Sequence, residues 1–206
     1  MLTVGPASTV GFDLDMTLVD SRPGIRASMD ALSQETSVPI DVEVVIDRLG
    51  PKLEWELAQW FPEEQVAHAC KRYRAHYWDH CVGAGTVLLP GARAAVDAVR
   101  TRGGRILIVT AKSESLAHRC IKSVSLKVDA VVGHVYGDEK RDALIAHGAG
   151  IYVGDTVTDI QSALDASATA VGVTTGPDDA TTLLAAGAHA VLDSLEQFAE
   201  WLSTME

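Results

Sequence analysis

Asp13-Leu14-Asp15-Met16-Thr17 sets two carboxylates at alternate positions where the short apolar run Thr9-Val10-Gly11-Phe12 ends. Alternate residues of an extended chain point the same way, so both carboxylates can face one crevice. Two anions that close need a cation or a proton between them. A plain pair of loop-starting aspartates is the competing reading, and three further features weigh against it. Thr110 ends a second apolar run and is followed by Ala111-Lys112-Ser113, where a helix begins and its free N–H groups can hold an anion. Gly154-Asp155-Thr156-Val157-Thr158-Asp159 puts two more carboxylates just beyond a strand, four residues apart. Lys140 stands 15 residues before Asp155, inside the charged cluster Asp138-Glu139-Lys140-Arg141-Asp142. The ends of adjacent parallel strands meet in one crevice, so these groups are expected to gather around a bound anion and a cation.

The elements that must position them follow from periodicity. Apolar runs at Arg105–Thr110, Asp129–Val132, Gly150–Asp155 and Thr169–Thr174, with a weaker one at Ala190–Leu192, read with Thr9–Asp15 as buried parallel strands. Helical patterns separate them at Gly91–Arg102, Ser113–Ser123, Glu139–His147, Asp159–Ala166, Thr181–Ala186 and Leu195–Leu202. The alternation predicts an α/β fold, a doubly wound, Rossmann-like parallel sheet. Between Arg22 and Leu89 it breaks into four helix-like stretches, near Pro23–Gln34, Asp41–Leu49, Lys52–Phe61 and Glu63–Cys81. The expected organisation is therefore a core of residues 1–21 and 90–206 with a helical insertion over 22–89. Hinges are expected at Asp20–Pro23 and from Gly83-Ala84-Gly85 to Pro90-Gly91. Six of the eleven aromatic residues fall between Trp55 and Trp78, which predicts a small core belonging to the insertion itself.

Composition narrows the function classes. At 206 residues, 47% hydrophobic and 22% charged, the chain suits one folded core with a small insert. Seventeen basic against 28 acidic residues give a net charge of −11, which disfavours nucleic acid and anionic membrane surfaces as partners. Cys70, Cys81 and Cys120 form no CxxC pair, so neither a disulfide framework nor a thiolate zinc site is expected, and a reducing cytoplasm fits. No basic leader and no apolar run of bilayer-spanning length appears, which predicts a soluble, unprocessed protein. Neither a G-x-x-x-x-G-K-[ST] nor a G-x-G-x-x-G loop is present.

Taken together, Asp13, Asp15 and Thr17 (DxDx[TV]), Thr110, Lys140, and Asp155 with Asp159 (GDxxxD) resemble the motifs of the haloacid dehalogenase superfamily in its phosphatase branch. The insertion resembles the helical cap of its phosphoglycolate phosphatase and β-phosphoglucomutase group. The resemblance implies a Mg²⁺-dependent phosphomonoester hydrolase acting on a small phosphorylated substrate, with Asp13, Asp15, Thr110 and Lys140 catalytic. Asp13, Asp155, Asp159 and Asp15, the last through its carbonyl, would serve the metal, whose hard oxygen donors suit Mg²⁺. Asp13 would attack phosphorus, Asp15 would protonate the leaving oxygen and Lys140 would neutralise charge. An aspartate at position 15 disfavours the halide-removing branch. Three departures stand out: Met16 replaces the usual glycine, Ala111 the usual asparagine, and Lys140 lacks the Pro-x-Pro that commonly follows it.

Substrate binding is assigned to Lys52 and Arg48, around the Gly50-Pro51-Lys52 turn of the cap, and to Ala111 and Lys112 beside Thr110. A solvated surface is the competing reading for both lysines. His76, His80, Cys81 and Cys70 could seed a zinc site, although packing beside the aromatic residues is the favoured reading. Lys71, Arg72 and Arg74 read as a solvated helix face. Two rival functions stay open: phosphoryl transfer to another acceptor, as in a mutase or a tyrosine kinase with a protein acceptor, and a non-catalytic regulatory binding protein.

Overall fold

The computed structural model describes residues 8–205. β-branched and aliphatic runs become six parallel strands: β1 (Thr9–Phe12), β4 (Arg105–Val109), β5 (Ala130–Val132), β6 (Ala149–Gly154), β7 (Thr169–Val173) and β8 (Ala190–Leu192). They lie in the order β5-β4-β1-β6-β7-β8. In chain order this is 3-2-1-4-5-6, the doubly wound arrangement that opens a crevice where the direction of winding reverses, beside β1. Register makes that crevice a site. Phe12 pairs with Ile108 on one side and Val153 on the other, so the residues that follow, Asp13, Thr110 and Asp155, leave the sheet at one edge.

Helices cover both faces. Ile106 and Ile108 point into one buried cluster, Leu107 and Val109 into a second that holds Leu144, Tyr152, Ile160 and Leu183. Such two-sided burial is why these strands read as unbroken apolar runs. Helix α5 (Ala92–Thr101) shows the complementary pattern, burying Ala92, Ala95, Val96 and Val99 along one stripe.

The helical cap is inserted between two short strands, β2 (Val19–Asp20) and β3 (Val87–Leu88), which pair antiparallel and tie the outgoing chain to the returning one. Its helices are α1 (Arg22–Thr36), α2 (Val42–Asp47), α3 (Leu53–Leu57) and α4 (Glu63–His80). The expectation of a separate cap core is not met: Met29, Leu32, Tyr73 and Tyr77 of the cap share one cluster with Phe12 and Ile108 of the sheet. The reason is contact across the junction, where the Tyr77 hydroxyl lies 3.6 Å from Cys120 Sγ on α6 (Glu114–Ser123). The tryptophans contribute less than their number suggests, since Trp55 and Trp78 remain about half exposed. Among the described residues no helix is long and apolar enough to cross a membrane.

Candidate active site

The Asp13 N–H donates to Val153 O at 2.9 Å, extending the ladder by one residue and fixing this aspartate at the sheet edge. The chain then reverses: Leu18 and Val19 donate to Leu14 O, both at 3.0 Å, and Met16 donates to Val19 O at 2.8 Å. The reversal holds Met16 at φ 61°, a left-handed conformation that costs a non-glycine residue about 1 kcal/mol. This is the position at which the motif that the sequence resembles usually carries glycine. The Met16 side chain offsets part of that cost by burial and forms part of the cavity wall.

The turn delivers Thr17 Oγ1 to Asp155 Oδ1 at 2.6 Å. Asp155 precedes α8 (Val157–Asp165), and Gly176, in the loop after β7, lies against its other oxygen: a Cβ there would sit 1.8 Å from Asp155 Oδ2. Lys140, in the first turn of α7 (Asp138–Ala146), places Nζ 2.6 Å from Asp159 Oδ1 and 3.4 Å from Asp13 Oδ1. Asp159 is fully engaged. Its Oδ1 also accepts from Tyr152 Oη at 3.1 Å, and its Oδ2 accepts from Thr156 N–H at 3.2 Å and Oγ1 at 2.7 Å. The side chain therefore orients Lys140 and caps α8 at once.

Carboxylate oxygens of Asp13, Asp155 and Asp159 all lie within 4.8 Å of one another, and all three residues are buried. With all three ionised, three negative charges would face one ammonium, Lys140, a deficit equal to one divalent cation. Asp13 Oδ1 is buried and accepts no hydrogen bond. Burial is the main force raising the Asp13 pKa to about 7; Lys140 opposes it, while Asp159 and Asp15 add to it. Burial, followed by the Asp159 and Asp13 charges, raises Asp155 well above the usual carboxylate range. Hard oxygen donors with a deficit of positive charge fit Mg²⁺.

A cavity of about 100 Å³ opens from these carboxylates to the cap. Asp13, Asp15, Thr110, Ala111, Lys112 and Asp155 line its core side. Lys112 Nζ bridges the two parts of the molecule, 3.1 Å from Asp15 Oδ1 and donating to the cap residue Tyr77 Oη at 2.8 Å. Arg48 lines the cap side, gripped by both oxygens of Glu56 at 2.7 Å. Lys52 is not part of the wall; its ammonium lies 2.5 Å from Glu139, next to Lys140 in sequence.

Several wall residues escaped sequence reasoning. Arg74, read as part of a solvated face, lines the cavity and pairs with Glu54 at 2.5 Å. Tyr73, Tyr77 and Glu56 belong to the wall as well; the two tyrosines stand in the aromatic cluster that the sequence shows, whereas no local pattern marks Glu56. Gly176 had a signal, the Gly176-Pro177 turn just past an apolar strand. No zinc constellation forms among the described residues: His76 pairs with Glu35 at 2.6 Å, His80 approaches Ser28 at 3.4 Å, and the grouping suited to a metal is the aspartate cluster.

The family model for haloacid dehalogenase-like hydrolases matches residues 10–173. The phosphoglycolate phosphatase of Chromobacterium violaceum is 28% identical, over 91% of this chain and 93% of the relative. The plasmid phosphoglycolate phosphatase of Cupriavidus necator is 30% identical, over 95% and 94%. Among solved structures, a haloacid dehalogenase-like hydrolase from Streptococcus pneumoniae superposes with a TM-score of 0.81 at 24% identity, covering 98% of this chain and 99% of its own. A haloacid dehalogenase-like hydrolase from Bacteroides fragilis gives 0.80 at 21% identity, covering 93% and 99%. At these identities the structural matches speak for the fold.

Proposed function

Because the chain belongs to the haloacid dehalogenase-like hydrolase family, we propose that it hydrolyses small phosphomonoesters through an aspartyl-phosphate on Asp13. The observation that carries this reading is Asp13 itself, a buried carboxylate at the floor of the cavity with an oxygen that accepts no hydrogen bond. Asp13, Asp155 and the Asp15 carbonyl would hold Mg²⁺, which when bound offsets the negative charge of carboxylates and phosphate alike.

The chain's own groups supply the remaining steps. Asp13 Oδ1 forms the bond to phosphorus as the bond from phosphorus to the substrate oxygen breaks, and Asp15 gives that oxygen its proton. Asp15 then takes a proton from water as the water oxygen bonds to phosphorus and the Asp13–phosphorus bond breaks, returning both carboxylates to their starting state. Lys140 is locked by Asp159 beside Asp13, so its charge stabilises the transition state without reorganising. Thr110 stands in the wall to donate to a phosphoryl oxygen, and Lys112 pairs with Asp15, the proton carrier. The cap shields the site from bulk water.

The test is phosphate release from p-nitrophenyl phosphate and a panel of phosphometabolites, phosphoglycolate included, by wild type and Asp13→Asn with Mg²⁺. Loss of the nucleophile is expected to lower turnover by about 10⁴-fold or more. Wild-type enzyme that releases no phosphate, or a variant that matches it, overturns the reading.

A further inference from the structure

The cap side of the cavity presents two cations among the described residues, Arg48 and Arg74, and each is matched by a carboxylate from α3. Arg48 Nε and Nη2 donate to the two oxygens of Glu56, each at 2.7 Å, and Trp60 Nε1 donates to the same carboxylate at 2.7 Å. The Trp55 and Trp60 ring centroids lie 5.6 and 5.7 Å from the Arg48 guanidinium carbon, within cation–π range. Arg74 Nη2 donates to Glu54 Oε1 at 2.5 Å. Lys52, the remaining basic residue of this turn, is drawn away to Glu139. What is left of the cap wall is mostly apolar, with Ile25, Met29, Val45, Leu49 and Leu53 facing the cavity beside Tyr73.

From this wall we infer, resting on the hydrolase reading, that the pocket selects phosphomonoesters whose leaving group is uncharged and apolar and rejects those carrying a second anion such as a carboxylate. The phosphate is met on the core side, by the aspartate cluster, Lys140 and Thr110. The leaving group extends towards the cap, where a carboxylate would give up water for a wall whose net charge is zero. On the cap wall it could gain a full ion pair only by displacing Glu56 or Glu54, and a displaced Glu56 would remain buried and unpaired; Lys112, the ammonium at the border of core and cap, is already paired with Asp15. An alkyl or aryl group gains burial against the same surface without breaking either pair.

The decisive comparison uses two compounds of nearly equal shape, isobutyl phosphate and phosphoglycolate, whose leaving groups differ in charge. Affinity is measured by calorimetry on Asp13→Asn with Mg²⁺, and kcat/KM on wild type. Isobutyl phosphate is expected to bind at least tenfold tighter and to show a kcat/KM at least tenfold higher. Glu56→Gln frees the Arg48 charge and is expected to shrink that ratio about fivefold, through a lower KM for phosphoglycolate. Glu54→Gln, at a more exposed pair, is expected to act in the same direction and serves if Glu56→Gln does not fold. Equal affinities, tighter binding of phosphoglycolate, no binding of isobutyl phosphate, or a ratio that no folded variant moves overturns the inference. The two readings fail separately: a wild type that releases no phosphate from these compounds, p-nitrophenyl phosphate or the panel sinks the hydrolase, while the calorimetric ratio still decides the pocket's preference.

Discussion

Asp13 and Glu56 line the same cavity and are both buried, yet they stand in opposite circumstances. Glu56 has a guanidinium across both oxygens, and its cap neighbours are similarly provided. Arg72 and His76 hold Glu35 down to about 2, and Arg74 holds Glu54 below its ordinary value despite partial burial. Asp13, Asp155 and Asp159 share a single ammonium, and burial pushes Asp13 and Asp155 up. The cap wall of the cavity has matched both of its arginines with carboxylates of α3 and asks nothing of a ligand. The core site has left its charges unbalanced and, in the proposed reaction, would be completed by a cation and a phosphoryl group. On the proposed reading, binding energy would be concentrated where bonds are made, while the opposite wall would sort substrates by what it lacks.

Removing the one cation from the unbalanced side should break the comparison most sharply. Lys140→Met keeps much of the volume but leaves Asp159 and Asp13 without their ammonium. Activity should fall by about 10²–10³-fold, as for loss of a preorganised charge at a transition state. Stability at pH 8 should fall by about 3–5 kcal/mol, the usual cost of orphaning a buried charge. The deficit measured by urea unfolding should narrow at pH 5, where Asp13, raised by burial, takes up its proton. A variant as stable and as active as wild type would mean that Lys140 is incidental.

The same imbalance fixes a pH dependence. Asp13 binds its proton more tightly folded than unfolded, so between about pH 4 and 7 the unfolded state holds fewer protons. The Asp13 contribution to the stability of the metal-free protein must then decline as pH rises through that window. The cap acids run the other way: Glu35, held at about 2, contributes stability above its unfolded value and loses it as pH falls towards 2. Mg²⁺ should counter the decline near pH 7, adding about 3 kcal/mol at a hundred times its dissociation constant. Thermal melts over pH 4–8, with EDTA and with Mg²⁺, read both effects. A metal-free melting temperature that rises steadily to pH 8 with no response to Mg²⁺ would remove the charge deficit from the account.

The asymmetry also explains what could be read from the chain. Asp13, Asp15, Thr110 and Asp155 are placed by strand ends, and a strand end is visible in sequence as an apolar run that stops. Parallel register then sets those ends level, with no further information needed. The cap wall has no such rule. Arg74 lies on α4 among charged neighbours whose pattern suits a solvated helix, and only the approach of α3 turns it inward to Glu54. Trp55 and Trp78 made the insertion look like an independent core, whereas they stay half exposed beside Arg48 and Arg119. The junction is packed instead by Tyr77, whose partners Cys120 and Lys112 are 43 and 35 residues away.

The smallest expected effect concerns one of the pairs that tie the two regions together. Lys52 Nζ meets Glu139 across the gap between the cap and α7, one residue from Lys140. Both side chains are partly solvated, so the pair should contribute no more than about 1 kcal/mol, and less as salt screens it. Its leverage lies in position: it holds the Gly50-Pro51 turn, part of the cavity wall, towards the core. Lys52→Met should therefore leave the melting temperature nearly unchanged while raising KM about two- to threefold at low salt, a difference that fades by 0.5 M NaCl. If Lys52 instead reached the substrate directly, the same substitution would weaken anionic substrates far more than neutral ones. Measuring KM for isobutyl phosphate and phosphoglycolate side by side separates a latch from a ligand: a latch raises both equally, because it acts on the cap and not on the charge of what the cap encloses.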